Sequence, residues 1–499
     1  MSAPALERSV PRQPPRSQPV VIQGGMGVAV SSWRLASSVA RAGQLGVVSG
    51  TALDLVLARR LQDGDVDGSV RRALAAFPVP VVAERAVARY HRPEGRAPGR
   101  PYTPIPRLAL RQTRLAQELT ILGNFVEVWL AKEGHEGLVG INYLEKVQMA
   151  TPAAAYGAML AGVDHVLMGA GIPRDIPHLL DGLAGHETVR LPIEVAGAAA
   201  GDHVVELDPR ALLGEDLPAL TRPTFLAIVS AHVLAEYLAR DPHIRPDGFV
   251  VEGHLAGGHN APPRGRLTLD DLGQPVFGPR DQADLAKVAA IGLPFWLAGS
   301  VGTPGAVDAA RAAGAAGVQV GTLFALSTDS GLEPGLRTDM LDRLRAGTLE
   351  VRTDPLASPT GFPFKVAQLP GTLSETSVSA ARPRLCDLGY LRTPYLRPSG
   401  EVGYRCAAEP VHTHVRKGGS VEDTVGRACL CNALSANVGL GQTRADGYAE
   451  EALVTLGADL DGARHLLGTH PEGWTALDAL DWLLGGVSVT RPGTATAIS

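Results

Sequence analysis

The sequence predicts an α/β protein: a (β/α)8 TIM barrel over residues 19–326, with inserted segments and a smaller C-terminal helical, cysteine-containing domain. Three observations carry this. From about residue 19, short apolar runs alternate with Ala-rich stretches of helical period, the signature of βαβ units around a parallel sheet. Eight such runs fall within about 300 residues, which suits a closed barrel better than an open sheet. No GxGxxG follows the first run, as a doubly wound dinucleotide fold would require.

The eight strands are expected at residues 20–22, 45–48, 138–141, 165–168, 224–229, 248–251, 294–297 and 317–320. Several are followed by a Gly-containing loop and then a helix, as at 304–313. Two insertions interrupt the alternation. Residues 54–137 carry a Pro/Arg-rich loop at 92–107, and residues 169–223 hold apolar runs at 191–199 and 203–207 that suggest a local hairpin. Strand-to-helix insertions in such barrels serve as lids, oligomer contacts or surface decoration. Beyond residue 326 the pattern changes to helix and loop over 327–385, then to a segment at 386–499 with the cysteines and further helices.

Composition narrows the class. A chain of 499 residues, 45% hydrophobic, 19% charged and with a formal net charge of −5, reads as a soluble globular protein without the basic patch of a nucleic-acid binder. Its apolar runs are too short to span a bilayer. The first 18 residues, rich in Pro, Arg and Ser and lacking an apolar core, are expected to be a disordered tail rather than a secretory signal. Only four cysteines occur, all late in the chain, which fits a reducing, cytoplasmic location.

Four Gly-rich segments fall at C-terminal ends of expected strands, where a barrel places its active site. The first, Gln23-Gly24-Gly25-Met26-Gly27, allows backbone to approach a flat ligand. Ala298-Gly299-Ser300-Val301-Gly302 and Gln319-Val320-Gly321-Thr322 follow the seventh and eighth strands, the usual place of a phosphate cradle. The fourth runs from Glu252 through His254 and Gly257 to His259 and Asn260. A histidine on such a loop suits proton transfer at neutral pH, or else binds phosphate or orders the loop.

Taken with Gly140-Ile141-Asn142, these motifs occur in the order seen in nitronate monooxygenases (2-nitropropane dioxygenases), and the chain resembles that family over roughly residues 19–326. Flavin-dependent enoyl-acyl carrier protein reductases share the pattern. The resemblance implies FMN at the barrel mouth, its ring near Gly25, Met26 and Asn142, with Gly257 near the phosphate-side loop. Gly299, Ser300, Gly321 and Thr322 would hold the phosphate, Gly27, Glu252, Gly302 and Gln319 would be further cofactor-binding residues, and His259 falls where the family keeps its catalytic histidine. Two positions depart from the family: Glu252 stands where Gln is common, and Leu255 where Glu is common. A carboxylate beside a flavin would disfavour an anionic reduced ring unless Glu252 is protonated or paired, and His254 is the nearest partner in sequence.

Cys386, Cys406, Cys429 and Cys431, with His412 and His414 between them, are expected to hold zinc or an iron–sulfur cluster, although no CxxC knuckle is present. The leading functional expectation is FMN-dependent oxidation of a nitronate by dioxygen. Its competitor is NAD(P)H- and FMN-dependent reduction of an enoyl thioester. A third is a non-catalytic flavin-bound partner in a biosynthetic complex, and a homodimer is also compatible. The substrate is thus a small molecule or an acyl thioester, with neither nucleic acid nor membrane as partner.

Overall fold

In the computed structural model, which describes residues 17–486, apolar runs of the first 320 positions form ten strands. In chain order they are β1 (Val21–Gln23), β2 (Leu45–Ser49), β3 (Val139–Leu144), β4 (His165–Gly169), β5 (Val189–Pro192), β6 (Val204–Leu207), β7 (Thr224–Val229), β8 (Gly248–Glu252), β9 (Phe295–Ala298) and β10 (Gly317–Val320). Eight of them close into a parallel barrel in the order β1-β10-β9-β8-β7-β4-β3-β2. Each lies within a few residues of its expected position. The remaining two, β5 and β6, pair antiparallel as the expected hairpin, with Val189 opposite Leu207. The expected tail at 1–18 lies, but for its last two residues, outside the described residues.

Alternation along the strands sorts their side chains onto two faces. Ile22, Leu45, Val47, Leu167, Leu226, Val250, Trp296 and Ala298 form a core of their own inside the barrel. Their neighbours in sequence, such as Val21 and Val48, pack outward against the helices. The Trp296 indole N–H donates to the Pro19 carbonyl at 2.8 Å, satisfying the one polar group of that inner layer's largest side chain.

The 54–137 insertion is helical: Leu53–Gln62, Ser69–Ala75, Pro80–Tyr90 and the long buried Arg114–Lys132. The described chain beyond the barrel forms two two-stranded sheets and several short helices. Strands β11 (Val351–Asp354) and β12 (Phe364–Ala367) pair antiparallel, as do β13 (Thr393–Leu396) and β14 (Val402–Arg405), and β13 also bridges Ala196 through Tyr395. This extension shares the barrel's outer core, with Phe364, Leu430, Leu453, Leu456 and Trp474 buried in the same cluster as the barrel strands. It is also bolted to the insertion. The Tyr390 hydroxyl donates to Asp54 at 2.6 Å, and the buried Arg59 guanidinium donates to the Leu440 carbonyl. No helix among the described residues is long and apolar enough to cross a membrane.

Candidate active site

The loop after β1 is shaped by two buried side chains. Gln23 accepts the Val47 N–H at 3.1 Å and donates to Ser31 Oγ at 2.9 Å. Ser31 Oγ accepts the Met26 N–H at 2.9 Å and donates to the Gly24 carbonyl at 2.8 Å. The turn is thereby folded back on itself, and Gly25 is pressed against β3. A Cβ on Gly25 would lie 2.3 Å from the Asn142 Cβ, so only glycine fits. After β9 the chain turns through Gly299 at φ +88°, where a Cβ would come within 3.0 Å of the Gly253 carbonyl oxygen. Ser300 follows at φ +60°.

These loops open onto a cleft with two adjoining halves. One, a cavity of about 910 Å³, is lined by Gly25, Met26, Gly27, Glu252, Gly257, Gly299, Ser300, Gly302, Gln319, Gly321 and Thr322. The other, of about 1000 Å³, is lined by Asn142, Glu252, Gly257, His259 and Gln319, again with Gly25 and Gly27. The structure thus brings together every sequence-derived cofactor residue and His259. Met26 differs in detail: it lines the half with Ser300 and Thr322, with its sulfur beside Gly321, and does not line the half with Asn142.

The cleft fits a phosphorylated flavin. One half is walled by the Gly-rich turns after β9 and β10, and the other joins apolar side chains such as Val28, Leu144 and Ile228 to the polar Asn142. Gln319 Oε1 is buried, has no hydrogen-bond partner, and sits on a side chain that lines both halves, so it is an acceptor waiting for a ligand donor.

Several walls come from the extension, where no motif announced them. Tyr390, Leu391, Leu430, Cys431 and Leu434 cover the half with Asn142. A strap at 455–459 crosses the other: Gly258 N–H donates to Thr455 Oγ1 at 2.8 Å, and Gly457 N–H donates to Thr322 Oγ1 at 3.0 Å. Ser358 is the third contribution. It is fully buried, and its Oγ lies 2.7 Å from His259 Nε2 and 2.7 Å from Thr360 Oγ1. The His259 ring also sits edge-on to Phe364, with centroids 4.8 Å apart. Spacing gave no signal for these residues, because they meet the barrel only through tertiary packing.

Electrostatics separates Glu252 from His259, both of which face the cleft. Burial pushes the Glu252 carboxyl up to about 8, and no cation or hydrogen-bond donor opposes it, so it is largely protonated at neutral pH. Burial pushes His259 down to about 4, so its imidazole is neutral. The expected pairing of Glu252 with His254 does not form. His254 instead stacks on Phe277, with centroids 4.4 Å apart and planes 15° from parallel, and burial lowers its pKa.

The metal expectation is likewise corrected. Among the described residues, no group of three or more His, Cys, Asp or Glu side chains is placed to hold a metal ion. Cys406 and Cys429 are buried beside Ala408, with Cys386 and Cys431 packed against them as free thiols. A hydrogen bond with Cys406 lowers the Cys386 thiol, while burial raises Cys429 and Cys431. A contact with Cys386 raises Cys406 in the same direction. His414 is turned away, to the Cys406 carbonyl and Asp423, and His412 lies at the surface beside Thr413.

No curated protein matches the chain in sequence. Among solved structures, FabK from Thermotoga maritima is similar over 94% of this chain and 92% of its own, at 15% identity and a TM-score of 0.46. A nitroalkane oxidase from Streptomyces ansochromogenes is similar over 94% and 95%, at 15% identity and a TM-score of 0.45. The enoyl reductase domain of MlnA from Bacillus amyloliquefaciens is similar over 94% and 94%, at 11% identity and a TM-score of 0.43. Residues 215–353, which include His259 and the turns after β9 and β10, match the model of the nitronate monooxygenase family, so the family resemblance seen in the motifs holds over that stretch.

Proposed function

We propose that the protein is an FMN-dependent oxidoreductase that reduces an activated carbon–carbon double bond, conjugated to a thioester carbonyl, in a substrate with an apolar chain, using NAD(P)H as reductant. The observation that carries this reading is the charge state of the cleft. A protonated Glu252 and a neutral His259 face a cavity of about 1000 Å³ whose lining holds no lysine or arginine. Such a site holds a proton donor and offers nothing to neutralise an anion.

FMN, when bound, supplies the hydride chemistry between the nicotinamide and the β-carbon of the double bond. The protein's part is to place and protonate the substrate. Glu252 holds the proton that the α-carbon takes up as the β-carbon gains hydride, and is recharged from solvent. His259, fixed through Nε2 by Ser358, presents a neutral ring to the same cavity. Tyr390, Leu391, Leu430 and Leu434 bury the apolar chain and exclude water from the reacting carbons.

Oxidation of a nitronate by dioxygen is the second reading, and the family match over residues 215–353 favours it. A nitronate arrives already deprotonated and needs no base, which a neutral His259 tolerates. Its negative charge, however, would enter a cavity without a cationic side chain. The test gives purified, FMN-loaded protein NADPH under nitrogen, then an enoyl thioester, and in parallel a nitronate under air, while flavin absorbance is followed. Bleaching by NADPH and recovery on adding the thioester is the expected result. Turnover of nitronate with no response to NADPH would reverse the order of the two readings.

A further inference from the structure

The half of the cleft that faces the turns after β9 and β10 is lined by glycines, Ser300 and Thr322, with no lysine, arginine or histidine. An anion there is held by backbone amides, hydroxyls and helix ends alone. Two acidic side chains share the lining, Glu252 and Asp459. Asp459 belongs to the strap at 455–459 and is half-buried. Its Oδ2 accepts the Ser300 hydroxyl at 2.5 Å, and its Oδ1 accepts the Asp461 N–H at 2.9 Å. Asp461 opens the helix Asp461–Thr469, whose Gly462 packs against the Gly302 carbonyl and lines the same half. The carboxylate therefore engages two donors, a loop hydroxyl and a helix N-terminal amide, at the rim of an anion cradle.

We propose that Asp459 is a specificity-determining residue for the charge of the cofactor: latched to Ser300 and the Asp461 amide, its carboxylate competes with a flavin phosphate for donors and weakens the hold on it. The inference rests on the flavin-phosphate reading above. The phosphorylated flavin is held less tightly than it would be without this carboxylate, and binding of the unphosphorylated ring is unaffected.

The test compares FMN and riboflavin affinities of the apoprotein by flavin fluorescence quenching, for the wild type, Asp459→Asn and Asp459→Ala. Asn keeps an oxygen acceptor for one of the two donors while removing the charge. Removing a like charge from the partly exposed rim that holds Ser300 is expected to tighten FMN roughly three- to tenfold. Riboflavin affinity should be unchanged, the gain should shrink as salt is raised, and Asp459→Ala should gain at least as much as Asp459→Asn. An FMN-to-riboflavin affinity ratio that stays constant or falls in both variants would overturn the proposal while leaving the cofactor reading intact. Failure of the wild type to bind FMN at all would sink both.

Discussion

Glu252→Gln separates a proton donor from a passive wall residue, and the size of its effect can be worked out from the site. The carboxyl is lifted from its ordinary 4.5 to about 8 by burial alone, with no partner to oppose it. At about 1.4 kcal/mol per tenfold change in proton affinity, the ionised form is disfavoured by at most ~5 kcal/mol; water in the cleft reduces this to ~2–3 kcal/mol. The sign follows from linkage. The folded state keeps its proton to a higher pH than the unfolded state, so this group's contribution is fully present below pH 4.5 and is lost as pH rises through about 8. Gln cannot ionise and escapes the loss. Thermal unfolding of the apoprotein at pH 5.5 and pH 9 checks this. The variant should gain relative to wild type at the higher pH by a few degrees, at roughly 1–2 °C per kcal/mol for a chain of this size. Reduction of the thioester should fall at neutral pH, and the wild-type decline above about pH 8 should vanish. A Tm difference between the two proteins that does not change with pH would refute the reasoning, because it would mean that Glu252 is already ionised or solvated.

Three further outcomes follow from the same geometry. Ser358→Ala should lower kcat about tenfold with little change in KM, since losing the 2.7 Å contact frees the His259 ring at a cost of ~1–2 kcal/mol; Ser358→Thr should restore most of the rate. Gly25→Ala drives a methyl into Asn142, so steady-state absorbance should show a protein that folds, by circular dichroism, but purifies with little flavin. Metal analysis of purified protein should find well under one zinc or iron per chain, and a chelator should leave Tm unmoved. A stoichiometric metal lost together with stability would contradict the free-thiol account of Cys386, Cys406, Cys429 and Cys431.

Much of the site was legible because barrel geometry is periodic. Once residues 20–22 and 317–320 are recognised as neighbouring strands, their Gly-rich ends must meet at one mouth, and β1 does pair with β10. The cysteines misled for a related reason. Closeness in sequence over 386–431 suggested a shared ligand, yet among the described residues no three His, Cys, Asp or Glu side chains are placed to hold a metal, and Cys406 and Cys429 are buried as free thiols. His254 and Glu252, two residues apart where β8 ends, were natural partners by sequence. The loop's turn sends the imidazole to Phe277 instead.

Taken alone, the sequence determined the eight staves, their order and the glycines at their tips, because strand alternation and tight turns are local properties written in neighbouring residues. It did not determine what closes the cleft. Ser358, Tyr390, Cys431, Thr455 and Asp459 reach the barrel mouth from the extension, some of them more than 400 positions from Gly25. Nor did it determine the protonation of Glu252 and His259. Burial sets both, and burial is a property of the whole packed chain.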